Sequence, residues 1–174
     1  IGSSEEEYAA MGKSFGDRGR RCDEQMRLLK RLWCEETLDF DDGSERIVGA
    51  GINPLPVQRP IPMWIGAKAN PVATVIRRIG ALADGWFVLA SPAEFTDISA
   101  RIGDAAVAAG RNPGDIGTEA GVAVVGPREA EWRERVSGWR EIGLSYLCLR
   151  TLGGELSVSE HLKKLEEVSK QIPN

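Results

Sequence analysis

The stretch that most constrains this chain runs from Pro60 to Phe87. Met63, Trp64 and Ile65 form a short apolar run closed by Gly66, which reads as a buried parallel strand. Pro71 suits the first turn of a helix, where its missing N–H costs nothing. Val72, Val75, Ile76, Ile79 and Leu82 then fall on one helical face. Asp84-Gly85 makes a turn, and Trp86 to Leu89 is the next strand. A strand, a loop of small residues and a helix start together suit an anion, because backbone N–H groups and the helix dipole converge there. The candidate phosphate or cofactor site is therefore Gly66, Ala67, Lys68, Ala69 and Asn70, with Lys68 adding a point charge. The same residues also fit an ordinary tight βα turn, with Lys68 solvated and Asn70 serving as the helix N-cap.

The alternation continues downstream. Ser91-Pro92-Ala93-Glu94 is a capping box with proline at the first helical position, and Phe95, Ile98, Ile102, Ala105 and Ala109 make a buried stripe. A strand is expected within Ile116–Val125, followed by a helix striped by Trp132, Val136 and Trp139 that ends at Gly143. Tyr146–Leu149 is a further strand, and Ser157 with Glu160 opens a last helix striped by Leu162, Leu165, Val168 and Ile172. Four strand–helix units argue for a parallel sheet with right-handed crossovers. Either part of a (β/α)8 barrel or a small doubly wound sheet satisfies that pattern.

Upstream, Ile1-Gly2 reads as the tail of a strand. Ser3-Ser4-Glu5-Glu6-Glu7 is a helix start. Asp17 caps a second helix to about Cys34, with Cys22, Met26, Leu29 and Trp33 at helical spacing. Residues 35–59 lack a long periodic pattern and are expected to form an irregular excursion within a single domain of residues 1–174, with a short strand at Ile47-Val48. A connection of that length is often functional.

Composition narrows the function classes. Hydrophobic residues make up 42% of 174, enough for a core, and the net charge of −4 gives no support to a nucleic-acid or anionic-membrane partner. No apolar run approaches the ~20 residues of a membrane span. Cys22, Cys34 and Cys148 are widely spaced and odd in number, so buried free thiols and a cytoplasmic setting are expected. One histidine, His161, and scattered cysteines make no zinc constellation, and no nucleophile elbow or Walker loop is present. Arg150 and Thr151 follow the last apolar run and are candidates to meet an anionic substrate. A salt bridge at the rim is the other role open to Arg150.

Pro56-Val57-Gln58-Arg59-Pro60, Pro62, Trp64-Ile65-Gly66, Arg77-Arg78 and Ala83-Asp84-Gly85-Trp86, with Phe15, Arg18-Gly19-Arg20-Arg21, Asp23-Glu24 and Leu32-Trp33 upstream, carry a resemblance to the luciferase-like monooxygenase family. The resemblance implies an α/β fold, a partial (β/α)8 TIM-type barrel made of about four C-terminal βα units after N-terminal helices. It implies redox chemistry on FMN or an F420-type deazaflavin coenzyme, whose phosphate relatives receive at small and polar residues after the central strand. Many relatives carry a Gly-Gly pair where this chain has Gly66-Ala67. The acid–base groups of relatives come mainly from earlier strands, so no catalytic residue is assigned. Relatives are usually longer, so the chain resembles a C-terminal half. An open half exposes apolar surface, and either a second copy, giving a homodimer, or an N-terminal half is expected to cover it. A non-catalytic ligand-binding half-barrel and a self-associating remnant without ligand are the alternatives.

Overall fold

The structure, a computed structural model, describes residues 2–43 and 45–172. Ile1 lies outside the described residues, and Gly2 is in no strand. The chain divides into two compact units, Ile1–Met63 and Trp64–Asn174.

The first unit holds two helices and a hairpin. Helix α1 (Glu5–Ala10) starts as its serines predict: the Ser4 hydroxyl accepts from the Glu7 N–H at 3.2 Å. Helix α2 (Arg18–Cys34) begins after Asp17, but that carboxylate makes no capping bond. It pairs with Arg21 at 2.9 Å, because a guanidinium one turn ahead offers a charged donor. The buried positions of α2 are Asp23, Met26 and Leu28. Leu29, expected in the stripe, is exposed. Two adjacent leucines stand about 100° apart on a helix, and Leu28 takes the inner place. The stretch expected to be irregular contains a two-stranded antiparallel hairpin, β1 (Leu38–Asp41) and β2 (Arg46–Ala50).

The second unit alternates strands and helices: β3 (Trp64–Lys68), α3 (Ala73–Leu82), β4 (Gly85–Leu89), α4 (Pro92–Ala108), β5 (Gly117–Ala123), α5 (Trp132–Ile142), β6 (Tyr146–Arg150) and α6 (Val158–Ser169). The four strands pair in parallel in the order β3-β4-β5-β6. Each strand lies beside its sequence neighbour and the order never reverses. A doubly wound sheet needs such a reversal, so this is the winding of a barrel segment. Burial agrees. Trp86, Val88, Thr118, Ala120 and Val122 are buried, whereas the alternate residues Phe87 and Leu89 are exposed. One face of the sheet is therefore covered by helices and the other is open.

The core lies on the covered face. Trp86 and Phe95 stack with centroids 5.6 Å apart, and Phe95 meets Trp139 edge-on at 6.0 Å. Ile79 and Ala106 are fully buried where α3 meets α4. Gly80 permits this close crossing, since a Cβ there would sit 2.7 Å from the Ala106 nitrogen. Gly143, at φ +83°, ends α5 in the left-handed region that favours glycine. Both expected capping boxes form, at Ser91–Glu94 and Ser157–Glu160. The three cysteines are free, but the burial expected of them fails. Cys34 and Cys148 are exposed and Cys22 is half-buried, because Cys148 falls on the open face of β6 and Cys34 in the last turn of α2.

Candidate functional site

The open face is layered by strand register. Trp64, Gly85 and Gly117 share one level, and Gly66, Phe87, Glu119 and Tyr146 share the next. The two glycines decide how the first level is filled. A Cβ on Gly85 would lie 2.5 Å from the Trp64 ring, and one on Gly117 would lie 2.8 Å from it. The indole therefore lies across β4 and β5, 5.4 Å from the Phe87 ring and 5.7 Å from the Tyr146 ring. An aromatic floor results near the N-terminal ends of the strands.

At the opposite, C-terminal end is a cleft of about 1180 Å³ whose lining includes Ala69, Leu89, Ser91, Gly121, Arg135 and Arg150. Ser91 is placed by its role as the cap of α4. Its hydroxyl donates to the Glu94 carboxylate at 2.7 Å and its N–H at 2.8 Å, which together hold Glu94 below the usual carboxylate range. Arg150 lies across β5 because Gly121 has no side chain: a Cβ there would be 2.6 Å from Nε. An Nη of Arg150 donates to the Gly121 carbonyl at 3.4 Å. Arg135, half-buried on α5, has its pKa pushed down by burial and then by repulsion from Arg128. Attraction to Glu131 opposes the shift, and Arg150 adds further repulsion.

The five residues proposed for a phosphate are arranged differently from the expected loop. Gly66, Ala67 and Lys68 are the last three residues of β3, and the strand runs past Gly66. Ala67 is buried, while Gly66 and Lys68 face the open side. Asn70 has φ 52° and is not the N-cap. That place belongs to Val72, and α3 starts at Ala73 with no side-chain cap. Of the five, Ala69 lines the cleft. Thr151 is buried and its hydroxyl pairs with His161 Nδ1 at 2.8 Å, whereas Arg150 is in the cleft wall. Sequence reasoning missed Arg135, Arg128 and Gly121. Arg135 precedes Val136 at the edge of the helix stripe, and that boundary position was its only signal.

These residues fit a phosphorylated aromatic cofactor. No side chain caps the start of α3, and the Val75 N–H turns back to the Val72 carbonyl at 2.9 Å, so the Ala73 and Thr74 N–H groups are the ones left to an outside acceptor. Lys68 is exposed at the C-terminal end of β3, on the open face of the sheet where Trp64, Phe87, Leu89 and Tyr146 offer an apolar wall. Among the described residues no cluster of His, Cys, Asp and Glu could hold a metal ion, and no helix is long and apolar enough to cross a membrane.

Known proteins agree with this architecture. An F420-dependent secondary alcohol dehydrogenase superposes with a TM-score of 0.72 at 13% identity, over 96% of this chain and 66% of that one. A monooxygenase from Streptomyces bottropensis gives 0.70 at 17% identity, over 98% and 65%. Both place the four-stranded sheet within a barrel of the luciferase-like type. In sequence, the chain is 31% identical over 112 residues to an F420-dependent glucose-6-phosphate dehydrogenase of Mycolicibacterium fortuitum, a match covering 63% of this chain and 32% of that enzyme. The chain thus spans about a third of the length of that relative. The family model described as luciferase-like monooxygenase matches residues 1–170. The chain belongs to the luciferase-like monooxygenase family.

Proposed function

We propose that this chain forms the cofactor-phosphate and substrate-mouth half of a flavin- or F420-dependent oxidoreductase barrel. The observation that carries the reading is that the C-terminal strand ends carry an uncapped helix start and an exposed Lys68 after β3, together with a cleft whose lining includes Ala69 and Arg150. Barrel enzymes bind their ligands at this end. FMN or an F420-type deazaflavin, when bound, supplies the redox step: dioxygen activation in one branch of the family, hydride transfer in the other. The residues of this chain contribute binding and orientation. The backbone N–H groups of Ala69, Asn70, Val72 and Ala73 and the Lys68 ammonium hold the phosphate. Gly66 allows close approach, and Trp64, Phe87 and Tyr146 keep water from one side of the ring. Arg150 orients an anionic substrate, with Thr151 fixing the loop behind it through His161.

The test is an equilibrium titration of the 174-residue chain with FMN and with the deazaflavin coenzyme, repeated on Lys68→Ala. Saturable binding of one cofactor is expected. Lys68→Ala should weaken it about tenfold, as loss of a charge-assisted hydrogen bond of about 1.5 kcal/mol implies. Absence of binding by either cofactor would refute the reading.

A further inference from the structure

Helix α3 is clasped at both ends by arginines from beyond β4. At its start, an Nη of Arg101, on α4, donates to the Pro71 carbonyl at 3.2 Å. In its last turn, Arg111, just past α4, donates to the Gly80 carbonyl at 2.8 Å. We propose that Arg101 is a positioning residue for the cofactor phosphate, because it fixes the Asn70-Pro71 turn and with it the N–H groups that open α3. The proposal rests on the phosphate reading of the loop after β3, and it adds a residue from another element on which that site depends.

The turn is not held from within. Asn70 lies in the left-handed region at φ 52°, directly before a proline, and no side chain caps the helix that follows. A non-glycine residue at positive φ costs free energy and persists where its surroundings hold it. A capping side chain ordinarily supplies that hold in the first turn. Here the hydrogen bond comes from α4 instead. The guanidinium is itself braced: Arg101 is half-buried, and its other Nη pairs with Asp97 one turn earlier on α4 at 3.4 Å.

The tether also sets a direction. In a trans peptide the C=O and the N–H that follows it point to opposite sides. The Pro71–Val72 peptide is trans, so binding the Pro71 carbonyl to α4 turns the Val72 N–H away from α4. The Val72 carbonyl is taken by the Val75 and Ile76 N–H groups at 2.9 and 3.2 Å, which fixes where the first turn begins. Without Arg101 that peptide plane is free to rotate about its neighbouring dihedrals, and the Val72 N–H loses its aim.

Arg111 is the comparison within the same helix. It makes the same kind of bond to α3 and stands 3.9 Å from Asp84, at the end remote from the phosphate loop. A bracket that only docks α3 acts alike at either end. A positioning role belongs to Arg101 alone.

The probes are two pairs whose members differ in the phosphate: FMN with riboflavin, and the deazaflavin coenzyme with its phosphate-free ribityl core. Each is titrated into the purified 174-residue chain and into Arg101→Gln, Arg101→Lys and Arg111→Gln, with thermal unfolding followed alongside. Arg101→Gln should bind the phosphorylated cofactor about tenfold more weakly and keep its affinity for the phosphate-free core within about twofold. Arg101→Lys, which keeps a cationic donor, should lose only about threefold in the same ratio, so the test does not hang on one variant folding. Arg111→Gln should lower the unfolding temperature and leave the ratio within each pair unchanged.

Equal losses for both members of a pair in the Arg101 variants, an unchanged ratio in them, or the same change of ratio in Arg111→Gln would each overturn the proposal. A wild type that prefers the phosphorylated member, with Arg101→Gln keeping that preference, sinks this proposal and spares the phosphate reading. A wild type that binds no phosphorylated cofactor, or binds the core equally well, refutes the phosphate reading and this proposal with it.

Discussion

At the scale of single residues, the open face depends on positions that lack a side chain. Gly117 lies beneath the Trp64 ring, where an added Cβ would stand 2.8 Å from it. Gly117→Ala should lower stability by about 1–3 kcal/mol, the usual cost of overpacking. It should also shift the Trp64 fluorescence, and a second change, Trp64→Leu, should recover much of the loss. Gly138, inside α5, meets nothing within 4 Å of its added Cβ, so Gly138→Ala should be neutral or gain up to about 1 kcal/mol. Thermal unfolding of the variants checks both, and equal effects at the two glycines would contradict the layered packing. Trp64 was legible as an apolar residue of the central strand. Its resting place on Gly85 and Gly117 was not, because that contact joins strands distant in sequence. Arg150 was legible at a strand end, but its posture depends on Gly121, which nothing local to Arg150 announces.

At the scale of elements, what the sequence states locally, the structure repeats. The two capping boxes close within four residues and need no tertiary partner, so Ser91–Glu94 and Ser157–Glu160 form as read. The start of α3 did not, because Asn70 enters the left-handed region and the chain passes Pro71 before turning helical at Ala73. Arg101 of α4 donates to the Pro71 carbonyl at 3.2 Å, a contact from another element that no local rule supplies.

The caps carry a pH dependence. Hydrogen bonds from the Ser91 and Ser157 hydroxyls, with their backbone N–H groups, hold Glu94 and Glu160 below the ordinary carboxylate value. A lowered folded-state value contributes stability that is full above the ordinary carboxylate range and is lost as pH falls through the lowered value. The first turns of α4 and α6 should therefore fray in acid. Amide exchange at pH 7 and pH 3 reads this. Protection in those turns should drop more steeply in wild type than in Glu94→Gln and Glu160→Gln, and parallel profiles would contradict it. Ser91→Ala should cost about 1 kcal/mol.

At the scale of the whole molecule, the βα alternation made the parallel sheet and its strand count readable. The choice between a barrel segment and a doubly wound sheet was not, since both are written with the same alternation. The order β3-β4-β5-β6, with one covered face, decides it. That solution leaves β3 and β6 as sheet edges and exposes Phe87, Leu89 and Tyr146 on the uncovered face. Unpaired edges and an apolar face favour association. We propose that a second copy covers this face in the isolated chain and that the strand ends of the resulting assembly hold the cofactor. The direct test is the native mass of the purified 174-residue chain by sedimentation, alone and with the deazaflavin coenzyme, beside a Phe87→Asp variant. The account predicts a mass of two copies for wild type, sharpened by coenzyme, and a shift toward monomer for Phe87→Asp. A monodisperse monomer whose mass ignores both the coenzyme and the substitution would contradict it.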